Sequence, residues 1–489
     1  MQRLESHSGR CSPINFRSDF CWLLFAFFSI LAHQACALRM SNATYIQSNA
    51  NVSFPITAKE EYVVFSGNTT QQSQQLIASL LSMLDARDIA EYGGPYTGPQ
   101  FWLVQMNSAQ ISGLLKSIPG AEVYKNAVVA QRQMKYASTP NSAAYNVSGQ
   151  LNIDNSDIIY QENAPPDLKV VSWPDDKDLD DSDFLKYYAY DKNGGQNSVI
   201  YVVENGIDPD NEEFVFNPVS WRYAPGAVAT PTDDDSDHGT CVASKAAGYR
   251  FGVSKRTPLM VLKSSLSFAD VLWAFQVIVN DLGALPALRV VVLLAFSSIH
   301  SNRVRTNVIP QPWRRVRTLM LQAISRNAVF VVVSGNKRNG LEHQFVDGYP
   351  AYFAYPQFGS VPLTLVGAVD NAGLEAPFSR QSAYITAWAP GMNAECAHMF
   401  GPSLYNGTSM SSGMVAGLAA YLLGFPNPPF DIGGGKTAYN FNKYLRETAS
   451  WQRSSEGVPR VIWNLQDGSS IQPLLNISDT LAASDIAHS

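Results

Sequence analysis

Cysteine and charge are both scarce in this chain. Five cysteines among 489 residues are too few for a disulfide scaffold, which needs dense bridges in a short chain. Charged residues make up only 16%, against a usual quarter or so. That fraction excludes a coiled coil or a charge-driven disordered chain. The net charge of −6 provides no basic footprint for nucleic acid. Long apolar runs are missing too. Phe20–Ala32 holds thirteen residues, short of the about 20 that a membrane span needs. What the chain has in quantity is apolar material. A hydrophobic fraction of 46% is enough for a large core. At about 150 residues per domain, the length suggests roughly three units, or one large domain with appendages.

Arg3, Arg10 and Arg17 precede the apolar run, and Ala35-Cys36-Ala37 follows it. A basic region, a short apolar run and small residues at a cut site form the secretory leader pattern. A signal-anchor is the alternative. Cleavage after Ala37 leaves Cys241 and Cys396 as the remaining cysteines. Sequons stand at Asn42, Asn51, Asn68, Asn146, Asn406 and Asn476, which fits entry into the secretory pathway. The expectation is a secreted, extracellular glycoprotein with no membrane contact after leader cleavage.

Beyond the leader, residues 62–129 read as a small α/β unit. Tyr62–Phe65 and Phe101–Val104 are strand-like, and Gln71–Leu84 and Ser108–Ser117 are helical. About sixty polar residues follow, from Gln131 to Gly195, with an acidic run between Asp175 and Asp183. That run reads as a solvated loop. Its spacing does not match an EF-hand loop. From Val199 the pattern changes. Apolar runs at Val199–Val203, Leu259–Leu262, Val290–Ala295, Val329–Val333 and Leu363–Val366 alternate with helical stretches. Another strand is expected near Tyr384–Ala387, then a helix over Ser409–Leu423. Unbroken apolar strands between helices predict a parallel sheet covered on both faces.

Three strings carry the chemistry. They are Asp237-His238-Gly239-Thr240-Cys241-Val242-Ala243, Val333-Ser334-Gly335-Asn336, and Asn406-Gly407-Thr408-Ser409 running on to Gly417. In wording and order they resemble the subtilisin-like serine proteases, the subtilases. Residues 187–207 are similar to the entry of the proteinase-K-like branch, and residues 62–129 resemble the family's inhibitor propeptide. The resemblance implies an α/β fold with a doubly wound, mostly parallel sheet flanked by helices. A small ferredoxin-like α+β propeptide would precede it. The implied domains are a signal peptide over 1–37, an inhibitor-like propeptide over 38–130, and a linker with the start of the mature chain over 131–186. A peptidase domain over 187–430 and a wrapping tail over 431–489 would follow.

A serine hydroxyl needs a neighbouring base to become a nucleophile. His238 is the candidate base and Ser409 the candidate nucleophile. A carboxylate must orient the imidazole and stabilise it when charged. The family's aspartate position holds Glu204, one methylene longer, with Asp208 and Asp210 less well placed past the turn. The Ser409 N–H and the Asn336 amide would form the oxyanion hole. Ala295, Phe296 and Gly335 are the candidate substrate-binding residues, with the register at Phe296 ambiguous by one. Gly413 stands where the family has proline. Cys241 reads preferentially as a small buried hydrophobe behind the base, and alternatively as a disulfide partner of Cys396. A glycan at Asn406 would block the cleft, so that sequon is expected to be unmodified.

The expected function is a serine endopeptidase made as a zymogen. It would act as a monomer on peptide or protein substrates, with its own propeptide as inhibitor. No cofactor is required, calcium being left as a structural-ion option. The alternative is a catalytically weak or inactive homologue that acts as a binding protein, suggested by Glu204, Phe296 and Gly413 together.

Overall fold

The computed structural model describes residues 59–468 apart from loop stretches, the longest being 139–149, 174–186 and 299–308. The expected leader and the sequons at Asn42, Asn51, Asn68, Asn146 and Asn476 lie outside the described residues. Among the described residues no helix is long and apolar enough to cross a membrane.

The first elements are β1 (Glu60–Phe65), α1 (Thr70–Met83), β2 (Ile89–Gly94), β3 (Gly98–Met106), α2 (Ser108–Ser117) and β4 (Glu122–Lys125). They build an antiparallel sheet in the order β2-β3-β1-β4, the split βαβ arrangement of ferredoxin-like units. Side chains alternate along β1. Val64 packs with Trp102, Leu76, Leu80 and Leu114 inside this unit. Val63 and Phe65 point the other way, into the core of the larger sheet. An Asn107–Gln110 capping box starts α2.

Then come β5 (Lys135–Ser138), β6 (Gln150–Asn152), β7 (Ile158–Gln161), α3 (Pro166–Lys169) and β8 (Tyr188–Asp191). Sequence reasoning treats this stretch as a polar linker. The structure instead buries Leu168, Val170, Val171 and Trp173. So short an apolar run among polar residues shows no periodicity of its own.

The larger unit continues with β9 (Ser198–Glu204), β10 (Val219–Tyr223), α4 (His238–Ala247), β11 (Leu259–Lys263), α5 (Phe268–Ala284), β12 (Arg289–Leu294), α6 (Gln311–Ser325), β13 (Val329–Val333), β14 (Thr364–Val369), β15 (Ala387–Pro390), β16 (Ala394–Cys396), β17 (Ser403–Asn406), α7 (Thr408–Gly424), α8 (Thr437–Glu447), β18 (Ser450–Gln452) and β19 (Arg460–Ile462). Nine strands form one sheet in the order β10-β11-β9-β12-β13-β14-β15-β19-β18. Every neighbouring pair is parallel except β18 with β19. Each residue of β13, Val-Phe-Val-Val-Val, is buried, as a strand covered on both faces requires. α7 is buried along its whole length, and past Ser412 it carries no charged residue, as a helix buried on all sides requires. It lies between the sheet and α4.

Two boundaries differ from the sequence reading. The strand expected near Tyr384–Ala387 forms at Ala387–Pro390. The expected wrapping tail supplies α8 and the two strands at the far sheet edge. Strands of three residues are too short to announce themselves by alternation.

Candidate active site

β9 lies between β11 and β12, and from β9 the later strands run to both sides. In an open parallel sheet, the carboxyl ends of the strands at such a reversal border a crevice. Glu204 is the last residue of β9. Lys263, at the end of β11, pairs beside it. His238 opens α4, and Ser409 is the second residue of α7. Asn336 follows β13 by three residues. Four segments far apart in sequence therefore meet at one edge of the sheet.

Their side chains are in contact. His238 Nε2 lies 3.1 Å from Ser409 Oγ, and His238 Nδ1 lies 3.0 Å from Glu204 Oε1. All three residues are buried. The extra methylene of Glu204 thus brings its carboxylate to ion-pair distance. Asp208 and Asp210 bond to each other's loop instead: the Asp210 N–H donates to Asp208 Oδ1.

The start of α4 is held by a residue that sequence reasoning missed. Asp237 adopts φ 55° and makes no cap. Buried Asp234 accepts from the Thr240 N–H at 2.8 Å and from Thr240 Oγ1 at 2.7 Å. A carboxylate here serves the free N–H groups of the first turn. It stands in an aspartate-rich run before His238, and nothing in that run singles it out.

Asn336 Oδ1 accepts from Thr408 N–H at 3.0 Å and from Thr408 Oγ1 at 2.9 Å. With its oxygen committed in this way, the amide donates only through its nitrogen. Ser409 Oγ also lies 3.3 Å from Ala295 O, which fixes the register of the segment after β12. Phe296 is corrected by this register. Its ring belongs to the main core, 1% exposed, so what it can offer a substrate is its backbone. Gly335 has φ +91°, a conformation suited to glycine.

Gly413 is explained by packing. A Cβ there would lie 2.6 Å from Val242 O and 3.0 Å from Lys245 Cβ. A proline could not stand at that position without moving α4. Lys245 itself is fully buried and pairs with buried Asp167, which ties α3 to the helix of His238.

The preferred reading of Cys241 is overturned: Cys241 and Cys396 form a disulfide. The bridge joins α4, which carries His238, to β16, part of the hairpin that leads to Ser409. The cysteines are 155 residues apart, so the bridge closes a long loop of the unfolded chain. Cys241→Ser/Cys396→Ser is expected to lose about 2–5 kcal/mol of stability, read by urea unfolding in a Ser409→Ala background. An unchanged midpoint would show that the bridge adds no closure. The Asn406 side chain is committed as well, its Oδ1 accepting from Asn393 N–H at 2.6 Å.

The profile of the subtilase family matches residues 195–466. Subtilisin-like protease 2 of Pseudogymnoascus destructans is 29% identical over 248 residues, covering 48% of this chain and 54% of that protein. The alkaline proteinase of Hapsidospora chrysogena is 28% identical over 249 residues, with the same coverage. The chain spans about half the length of the curated relatives it matches. The crystal structure of a cold adapted subtilisin-like serine proteinase aligns with a TM-score of 0.48 at 21% identity, over 62% of this chain and 100% of that one. With its family profile matched over more than half of its length, this chain belongs to the subtilase family.

Proposed function

We propose that this protein is a secreted serine endopeptidase made as a zymogen, acting as a monomer on peptide or protein substrates. The observation that carries the reading is the contact of His238 Nε2 with Ser409 Oγ, backed by Glu204 on the opposite ring nitrogen. Ser409 Oγ attacks the scissile carbonyl while His238 takes its proton. Glu204 stabilises the imidazolium. The tetrahedral oxyanion is held by the Ser409 N–H and the Asn336 amide. His238 then returns the proton to the leaving amine, and water hydrolyses the acyl-enzyme by the same steps. Secretion rests on the leader pattern. Among the described residues no group of three or more His, Cys, Asp or Glu is placed to hold a metal, and the proposal assigns no calcium ligands.

The zymogen part is supported by the chain that leaves the small unit. Ala127 O accepts from the Phe268 N–H, Asn126 Oδ1 accepts from the Ala269 N–H, and Val128 bridges Ser267 antiparallel. These partners follow β11, whose end lies beside Glu204. Further on, β5 pairs with β17, Lys135 opposite Asn406, just ahead of Ser409. The chain is thus strand-paired on both sides of the triad, the backbone mode by which peptides bind sheet edges. Self-cleavage is expected after Val128 and before Lys135. Intact mass and N-terminal sequencing test this. The unsubstituted protein should yield a new N-terminus inside that window, and Ser409→Ala should not. Identical products from both would contradict self-processing.

The second reading, a weak or inactive homologue that binds rather than cuts, draws on the longer side chain of Glu204 where the family carries aspartate.

A further inference from the structure

Asn336 is gripped from two sides. Thr408 holds its side-chain oxygen. On its other side, Arg380 Nε donates to Asn336 O at 3.1 Å, and the Arg380 N–H donates to Gly335 O at 3.1 Å. Ser379 bridges Asn336 antiparallel, and the Lys337 N–H donates to Phe378 O. The Arg380 guanidinium lies 3.2 Å from where a Gly335 Cβ would be. Arg380 is 5% exposed, and its Nη1 pairs with Asp347. Asp347 precedes Gly348, whose Cβ position is 2.3 Å from Ser297 Oγ and 2.5 Å from Ser298 O. Ser298 in turn makes two bonds with Tyr349: its N–H donates to Tyr349 O, and its side-chain Oγ accepts from the Tyr349 N–H. One ion pair therefore links the Gly335–Asn336 turn to the segment packed on residues 297–298, just past Ala295.

We propose that Arg380, held by Asp347, is a positioning residue for the oxyanion hole, fixing the Asn336 backbone so that its amide meets the transition state. This rests on the reading of Asn336 as an oxyanion donor. A guanidinium suits the task because its planar fork can serve a carboxylate and a carbonyl at once. A lysine at this position offers a point charge and no second fixed donor. The pair also carries a cost: Arg380 is buried and Asp347 partly so, and removing one partner strands the other charge. The test therefore replaces both together.

Arg380→Gln/Asp347→Asn is made in the full chain and compared with Asn336→Ala and with the combined triple variant. The expected result is a kcat lower by about 10- to 100-fold, as a small misplacement of a catalytic group produces. KM should change little, and inhibition by a peptide aldehyde, which forms a tetrahedral adduct, should weaken in step with kcat. In the Asn336→Ala background the same pair of changes should add almost nothing, since the group it positions is gone. Arg380→Lys should recover only part of the rate. Full additivity with Asn336→Ala, or a fall in thermal stability with kcat unchanged, would overturn the proposal. Failure of the underlying reading looks different: Asn336→Ala itself would then leave kcat unchanged. If Arg380→Gln/Asp347→Asn does not fold, Arg380→Lys carries the same comparison alone, and an unchanged kcat there overturns the proposal.

Discussion

Replacing Ser409 with alanine is expected to lower kcat for peptide hydrolysis by about a millionfold, the size known for a triad of this type. His238→Ala should do the same, and the double variant should be hardly worse than either. The reason is that the two act as a unit. Ser409 Oγ sits 3.1 Å from His238 Nε2, and without that acceptor the hydroxyl keeps its proton. What survives comes from the oxyanion hole and from binding, about 1,000- to 10,000-fold over water. Steady-state assays on a chromogenic peptide, with the propeptide-like unit removed, measure both. An additive loss in the double variant would show that the two residues do not share one proton transfer.

The second large effect concerns the carboxylate. Glu204→Gln is expected to cost about 10,000-fold in kcat. The glutamine amide can donate to His238 Nδ1, which leaves the proton on the wrong nitrogen for attack by Ser409. Glu204→Asp is the more informative change. On this backbone the glutamate carboxylate already lies 3.0 Å from Nδ1, and its Oε2 accepts from the Asn205 N–H at 3.3 Å. An aspartate from the same Cα falls short by about one C–C bond, so the strand end would have to move. A drop of roughly 100-fold is expected from such a misplacement. The strand end is confined by the close approach of Gly239, where even a Cβ would lie 1.8 Å from Gly206 O and 3.3 Å from Glu204 Cβ. A rate gain in Glu204→Asp would show that glutamate is badly placed, and would favour the non-catalytic reading.

The fold and the site were legible in the sequence to different depths. β9, β12 and β13 could be read because each is an apolar run rich in Val, Ile or Leu and covered on both faces. His238, Asn336 and Ser409 could be read because their strings are long. The pairing of Cys241 with Cys396 could not, since two cysteines far apart carry no signal of whether the fold brings them together. Asp234, Arg380 and Asp347 were missed for a related reason. Each is a charged residue that no motif along the chain singles out, and only folding brings it against its partner. Gly413 looked like a defect while only its own helix was in view. The close approach of α4 turned it into a requirement.

The most direct test of the account is labelling by a fluorophosphonate probe, followed by mass spectrometry of the modified peptide. The protein is used after removal of the residues that precede the processing window, beside its Ser409→Ala and His238→Ala variants. One probe per chain is expected on Ser409, absent in Ser409→Ala and reduced to background in His238→Ala. Absence of labelling in the processed protein, or labelling that persists in both variants, would contradict it.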